Sequence, residues 1–164
     1  MESVKVNGVE LEYELSGSGE PILLISPVIA DGFLPLIAEP ALAERYQLIR
    51  YHRRGWVGST HTPPPVSVAD HPADAAALLD QLGLRPAHVA GHSSGAAVAA
   101  QLALDHPGLV HTLTLLELSL IAVPSLEAFF TQIEPALEAY AGGDHAGALA
   151  IFMEAVSAVE WTQG

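Results

Sequence analysis

A serine between two glycines is the first feature of this sequence that could do chemistry. Residues 91–95 read GHSSG, which matches the pattern G-x-S-x-G with Ser93 at its centre. In that pattern the serine occupies a sharp turn between a strand and a helix, with its hydroxyl exposed above the end of the strand. The two glycines supply the small residues that such a turn needs. The pattern therefore predicts that Ser93 is a nucleophile for acyl transfer.

The segments on both sides of Ser93 fit this role. The apolar run at residues 87–91 predicts a short buried strand, and the alanine-rich residues 94–104 predict a helix that stops at the DHPG sequence of residues 105–108. The alternative interpretation is a glycine- and serine-rich turn that merely joins the strand to the helix. The flanking elements weigh against it, because they place Ser93 where a nucleophile has to stand.

Strands and helices alternate along the first three quarters of the chain. Apolar residues alternate with glutamates in residues 4–15, which predicts an exposed hairpin, whereas the apolar runs at residues 22–25 and 110–118 predict strands of a parallel sheet. Helical patterns separate these runs, so we predict an α/β fold with a mainly parallel sheet and helices on both faces. Only helical spacing follows residue 124, and we therefore divide the chain into a core at residues 1–122 and a helical segment at 123–164.

Composition excludes several classes of protein. Nineteen acidic residues against six Lys and Arg give a net charge of −13, which disfavours nucleic acid as a partner. There is no cysteine, no metal-binding spacing, no signal-peptide pattern and no apolar stretch long enough for a membrane. We expect a cytoplasmic protein that acts on a small molecule without a cofactor. Half of the basic residues are Arg50, Arg53 and Arg54, which we expect to form local ion pairs.

Two stretches resemble a known family. The sequence GHSSGAAVAAQLALDHPGLVHTLTLLE is similar to the nucleophile turn, following helix and sixth strand of the α/β-hydrolases, and RYQLIRYHRRGWVGST resembles their fourth strand and loop. With the hairpin, the resemblance covers about residues 2–120. It implies that the helices after residue 124 form a cap over the substrate pocket. A serine nucleophile in this family implies ester, lactone, thioester or amide substrates.

The resemblance also implies an oxyanion hole. The backbone N–H of Ser94, the residue after the nucleophile, lies at a helix N-terminus and is one predicted donor. The family takes its second donor from the loop after the third strand, which usually begins His-Gly. Here that loop begins Ser26-Pro27, and the N–H of Val28 holds the donor position. Proline in place of a flexible glycine predicts a tilted loop.

Glu117 is the candidate for the acid that would orient a catalytic histidine. It closes an apolar run at the end of the strand that follows the nucleophile turn. Some members of the family carry their acid at this position, whereas most carry it after a seventh strand. The alternative interpretation of Glu117 is a solvated strand end or helix cap.

The catalytic histidine is not identified. Family order places it after the acid, where His145 begins a helix of the cap segment. His92 adjoins Ser93 and should point away from its hydroxyl, and His52 stands where relatives often carry an acid. We therefore interpret the chain as the N-terminal part of a hydrolase, without its last two strands and its histidine. A noncatalytic domain that binds a small ligand remains the alternative.

The strand predicted at residues 110–118 has a further implication. Without a seventh strand beside it, this apolar strand would form an exposed edge of the sheet. Unpaired edges invite pairing with another chain. The sequence therefore predicts self-association through residues 110–118.

Overall fold

The fold is taken from a computed structural model, which describes residues 1–63, 67–119 and 125–157. Six strands and four α-helices lie in the first 119 residues, and two further helices follow in the described part of the chain. The strands are β1 Glu2–Val6, β2 Val9–Gly17, β3 Glu20–Ile25, β4 Tyr46–Tyr51, β5 Ala87–His92 and β6 Val110–Leu116. The helices are α1 Leu34–Ile37, α2 Pro40–Ala43, α3 Asp70–Leu82, α4 Ser94–Asp105, α5 Ser125–Ala141 and α6 His145–Ser157.

The strands form one sheet in the order β1-β2-β4-β3-β5-β6. The hairpin β1–β2 and the pair β2–β4 are antiparallel, whereas β4, β3, β5 and β6 run parallel. Asn7 and Gly8 turn the hairpin with φ of 47° and 78°. Two positive φ values in a two-residue loop suit the twist of the flanking strands. The predicted mainly parallel sheet is confirmed.

Helices cover both faces of the sheet. On one face, α3 and α4 pack on a core that includes Leu23, Ile49 and Val89, none of which is more than 1% exposed. On the other face, the shorter α1 and α2 cover a smaller cluster around Leu24 and Leu48. The side chains of adjacent residues in β3 therefore point to opposite faces of the sheet, as strand geometry requires. The carboxyl ends of β3, β4 and β5 come together at one edge, where the candidate site lies.

Strand β6 forms one edge of the sheet. Its side chains are mostly exposed, and Leu113, Leu115 and Leu116 keep 37–41% of their surface in contact with solvent. The same residues pair in parallel with β5, which is the only strand beside β6 in the described ranges. The self-association predicted for residues 110–118 has no test in this structure and stays a prediction.

The helices after the sheet form a separate unit. The chain divides into Met1–Ser119 and Leu120–Gly164, and the predicted boundary at residues 122–123 lies outside the described residues. Within the second unit, the rings of Phe129 and Phe152 meet edge to face with centroids 6.5 Å apart. Asp144 caps α6 by accepting a hydrogen bond from the Gly147 N–H at 2.9 Å. The helical character of this segment agrees with the sequence pattern, and its role as a cap stays a prediction.

Candidate active site

Ser93 lies on the turn between β5 and α4 in a backbone conformation that is rare for serine. Its φ is 53° and its ψ is −119°. Such a conformation costs about 1 to 3 kcal/mol and persists only where the surroundings impose it. Strand β5 ends at His92 and helix α4 begins at Ser94, so the turn contains Ser93 alone. The sharp strand-to-helix turn predicted from GHSSG is present.

The two glycines of the motif explain how the turn is imposed. A Cβ atom on Gly95 would overlap the carbonyl oxygens of Ile25 and Ser26 at the end of β3. A Cβ atom on Gly91 would come within 2.7 Å of the Ala96 Cα. Because backbone atoms occupy both spaces, neither position accepts a larger residue without a shift of the backbone. The turn is therefore fixed against β3 on one side and α4 on the other.

The hydroxyl of Ser93 has another serine as its partner. Its Oγ lies 3.1 Å from the Oγ of Ser119, and the Ser93 N–H donates to the Leu116 carbonyl at 2.9 Å. Among the residues that the structure describes, no imidazole lies within hydrogen-bond distance of the Ser93 Oγ. Ser119 was not identified from the sequence, because no motif or spacing marks it.

The two predicted oxyanion donors belong to segments that a third residue connects. Ser94 begins α4, and its Oγ accepts a hydrogen bond from the Arg53 Nη2 at 3.2 Å. The same Arg53 nitrogen donates to the Pro27 carbonyl at 3.0 Å, in the loop that carries Val28. Their roles as oxyanion donors are not tested by this arrangement and stay predictions. Arg53 itself was expected in an ion pair, and this contact was not foreseen.

Glu117 ends β6 beside the nucleophile turn. Its side chain is 85% exposed, and its Oε2 lies 3.0 Å from the Nε2 of His92. The His92 ring in turn meets the Phe33 ring edge to face at 6.5 Å. The carboxylate therefore pairs with the histidine next to Ser93, and the contacts of the Ser93 hydroxyl do not include it. The role of Glu117 as the triad acid stays a prediction.

Hydrogen bonds and ion pairs tie the loop after β3 to the neighbouring strands. His52 places its Nδ1 2.9 Å from Glu12 Oε2 and its Nε2 3.3 Å from Asp31 Oδ1. Arg50 pairs with Glu14 at 2.7 Å and also with Asp31. Asp31 thus receives two partners from the end of β4, which ties the loop to the sheet.

The Glu12 carboxylate has a second donor. The Gly58 N–H donates to its Oε2 at 3.0 Å, and a Cβ atom on Gly58 would overlap the carboxylate. The hydrogen bond with His52, followed by the one from Gly58, lowers the pKa of Glu12 despite the opposing effect of desolvation. The Glu12 carboxylate therefore lies directly against the backbone of Gly58.

Arg54 forms an ion pair with the buried carboxylate of Asp74. Its Nε and Nη2 donate to the two oxygens of Asp74 at 2.6 and 2.7 Å, and the Asp74 side chain is 1% exposed. Asn7 donates to the same carboxylate at 3.1 Å. The hydrogen bonds between Arg54 and Asp74 raise the pKa of Arg54 despite the opposing effect of desolvation. The predicted local ion pairs are confirmed for Arg50 and Arg54.

Within residues 1–63, 67–119 and 125–157, no group of three or more His, Asp or Glu side chains is placed to hold a metal ion. The helices in those ranges include none with the length and apolar character needed to span a membrane.

Comparison with known proteins identifies the family. A sequence profile described as the alpha/beta hydrolase fold matches residues 29–151. A protein of Azorhizobium caulinodans with the provisional name carbamate hydrolase RutD is 37% identical over 106 residues, which cover 65% of this chain and 40% of that relative. The chain thus spans about two fifths of the length of this curated relative.

Solved structures agree with that match. An alpha/beta hydrolase from Sphaerobacter thermophilus superposes with a TM-score of 0.76 at 29% identity, covering 98% of this chain and 62% of the other. Est816, described as an N-acyl homoserine lactone degrading enzyme, gives a TM-score of 0.69 at 27% identity, covering 95% and 65%. With the parallel sheet and the turn at Ser93, these matches show that the chain belongs to the α/β-hydrolase fold family.

Proposed function

We propose that this chain carries the nucleophile of a hydrolase that cleaves ester-type bonds in small molecules, with Ser93 as the attacking group. The backbone of Ser93 carries the proposal, because its φ of 53° raises a serine above the carboxyl ends of the strands. The glycines on either side have their Cβ space filled by neighbouring backbone, which holds that geometry. A turn that served connection alone would not need a strained serine between two such glycines.

The proposed chemistry is acyl transfer. The Ser93 Oγ attacks the substrate carbonyl carbon, its proton passes to a general base, and the bond to the leaving oxygen or nitrogen breaks. The carbonyl oxygen gains negative charge and accepts hydrogen bonds from the N–H groups of Ser94 and Val28. Water then hydrolyses the acyl-serine. Both donors lie on segments that meet at Arg53, which supports their assignment to one oxyanion hole.

The names of two relatives support the bond type. One carries the provisional name of a carbamate hydrolase and the other is described as degrading a lactone. A carbamate and a lactone share a carbonyl carbon bonded to a heteroatom that can leave. We propose this shared feature, rather than either compound, as the substrate class of the present chain.

The described part of the chain does not supply a general base for Ser93. The described residues place no imidazole next to the Ser93 Oγ, and general-base catalysis is typically worth about 10²–10⁴-fold. We propose that the chain corresponds to the N-terminal part of a longer hydrolase whose catalytic histidine comes from a later segment. The match to 40% of a relative's length supports this proposal.

A fluorophosphonate probe tests the nucleophile. Attack by Oγ forms an O–P bond, breaks the P–F bond and releases fluoride and a proton to the buffer. We expect slow labelling of the chain at Ser93, located by peptide mass spectrometry, and none in Ser93→Ala. Ser119→Ala is the matched control, because it removes the other hydroxyl of the 3.1 Å pair and should still be labelled.

A noncatalytic domain that binds a small ligand is the second candidate. The absence of a described base beside the Ser93 Oγ favours it. Its signature would be a chain that is folded by circular dichroism, is not labelled at Ser93, and yet binds a small ester or lactone. Loss of labelling in Ser119→Ala but not in Ser93→Ala would contradict the Ser93 proposal directly.

A further inference from the structure

Arg53 is a buried cation without an acidic partner among the described residues. It is 5% exposed, and none of the ion pairs in that part of the chain includes it. Burial lowers the pKa of its guanidinium, which nevertheless stays protonated at neutral pH. A buried charge without a counter-charge is costly unless hydrogen bonds satisfy it. The acceptors of Arg53 therefore indicate what the residue does.

The loop after β3 and the first residue of α4 share one nitrogen of this guanidinium. The Arg53 Nη2 donates to the Pro27 carbonyl at 3.0 Å and to the Ser94 hydroxyl at 3.2 Å. The guanidinium carbon also lies 4.2 Å from the ring centroid of Trp56, in a cation–π contact. The Trp56 Nε1 donates to the Val28 carbonyl at 3.0 Å. The stacked pair thus holds two successive carbonyls of the loop after β3.

The planarity of the peptide bond makes the first of these contacts important. The carbonyl of Pro27 and the N–H of Val28 belong to one peptide, and in a trans peptide they point in opposite directions. When Arg53 draws the carbonyl toward itself, the Val28 N–H has to face away from the guanidinium. The hydrogen bond from Arg53 therefore sets the direction of a donor that it does not touch.

Trp56 is held in place on a second side. The ring of His71 meets its ring nearly at a right angle, with centroids 5.7 Å apart. Burial, together with the charge of Arg53, lowers the pKa of His71 to about 4. His71 is therefore neutral at pH 7, and it packs against Trp56 without adding a positive charge to that of Arg53.

We propose that Arg53 is the positioning residue of the oxyanion hole, because one of its nitrogens fixes both the Pro27–Val28 peptide and Ser94. Trp56 acts with it by holding the Val28 carbonyl. This inference rests on the proposed function of Ser93. It also explains how a loop that begins Ser-Pro rather than His-Gly can present an N–H, since an external side chain supplies the orientation that the loop's own sequence does not.

The test separates the rate of phosphonylation from probe binding. We would measure kinact and KI for fluorophosphonate labelling of Ser93 in the unaltered chain, Arg53→Met, Arg53→Lys and Trp56→Phe. Trp56→Phe keeps an aromatic ring but removes the Nε1 donor. Misplacing one oxyanion donor should lower kinact by about 10- to 100-fold in Arg53→Met and Trp56→Phe, with KI unchanged within about threefold. Arg53→Lys retains a charged donor and should recover part of the loss.

Arg85→Met is the matched control. Arg85 is 55% exposed and pairs with Asp80 at 2.7 Å on the surface. The kinact of Arg85→Met should therefore equal that of the unaltered chain. Thermal melting of each variant shows whether it is folded. If Arg53→Met is unfolded, the kinact of Trp56→Phe tests the positioning role. Folded variants with an unchanged kinact would overturn the positioning role and leave the proposed function intact. An unaltered chain that is never labelled would overturn the proposed function and this inference with it.

Discussion

The ends of β5 and β6 lie side by side, and the residue after each strand has a positive φ, but the two ends differ in their surroundings. Ser93 follows β5 with a φ of 53°, and Glu117 follows β6 with a φ of 48°. Strand β5 runs inside the sheet between β3 and β6, whereas β6 is the edge. Ser93 stands between glycines pressed against neighbouring backbone, whereas the Glu117 side chain is 85% exposed.

A strained backbone indicates a functional residue only where packing holds the side chain in place. At Ser93 the backbone conformation is imposed by packing from β3 and α4, so the Cα–Cβ bond has a defined direction. At Glu117 the carboxylate extends into solvent and bonds only to the His92 ring among the described residues, so water competes with that ring for the carboxylate. Positive φ alone is therefore weak evidence for a catalytic residue, and positive φ inside packed backbone is stronger.

The largest effect is expected where packing imposes the turn. Gly95→Ala would place a Cβ against the carbonyl oxygens of Ile25 and Ser26, and we expect a loss of about 3 kcal/mol in the free energy of unfolding. Gly108→Ala is the matched control, since no atom lies within 4 Å of its Cβ position and its change should stay below about 0.5 kcal/mol. Urea denaturation of both variants measures this. Equal stabilities would remove the basis of the comparison.

The strain itself can be measured at both strand ends. Glycine tolerates positive φ, so Ser93→Gly should be more stable than Ser93→Ala by about 1 to 2 kcal/mol. The corresponding gain of Glu117→Gly over Glu117→Ala should be about 1 kcal/mol or less. Thermal unfolding of the four variants gives both differences. A larger gain at Glu117 than at Ser93 would reverse the comparison.

The exposed edge predicts self-association. We expect the chain to associate through β6 as its concentration rises, and Leu115→Lys should weaken that association by about tenfold because a charge on an edge strand opposes pairing. Leu104→Lys is the control, because Leu104 is 76% exposed on α4 and lies off the strand. Sedimentation velocity over a concentration series measures the effect. A monomer at every concentration contradicts the prediction.

The smallest effect concerns Glu117. Its carboxylate bonds to the His92 ring, and no described imidazole connects it to the Ser93 hydroxyl, so Glu117→Gln should change the rate of fluorophosphonate labelling by less than about threefold. The second-order labelling rate of the folded variant measures it. A fall of tenfold or more would contradict this prediction, because it would show that the carboxylate acts on Ser93 without a catalytic histidine between them.

Local patterns in the sequence were enough to predict the sheet, the hairpin and the turn at Ser93. Strand and helix periodicity reflects burial of one face, and the motif needs glycines at fixed offsets, so both are visible within a few residues. The Arg53 contacts could not be predicted in this way. They join residues separated by 26 and 41 positions in the chain, and nineteen acids made an ion pair the reasonable expectation for any arginine.

Other features of the site depend on contacts between neighbouring strands. The Ser119 hydroxyl reaches Ser93 because β6 lies beside β5, and His92 meets Glu117 for the same reason. No spacing within the sequence encodes these distances. The sequence predicted the direction of His92 away from the nucleophile hydroxyl, but it did not predict its partner.

The Glu12 carboxylate links two segments that follow the end of β4, because it accepts from the Gly58 N–H and also lies 2.9 Å from the His52 Nδ1. A side chain at position 58 would overlap the end of the flexible Glu12 side chain and displace it, without touching the backbone. A substitution at position 58 is therefore expected to act through the hydrogen bonds that Glu12 would lose and not through a backbone clash.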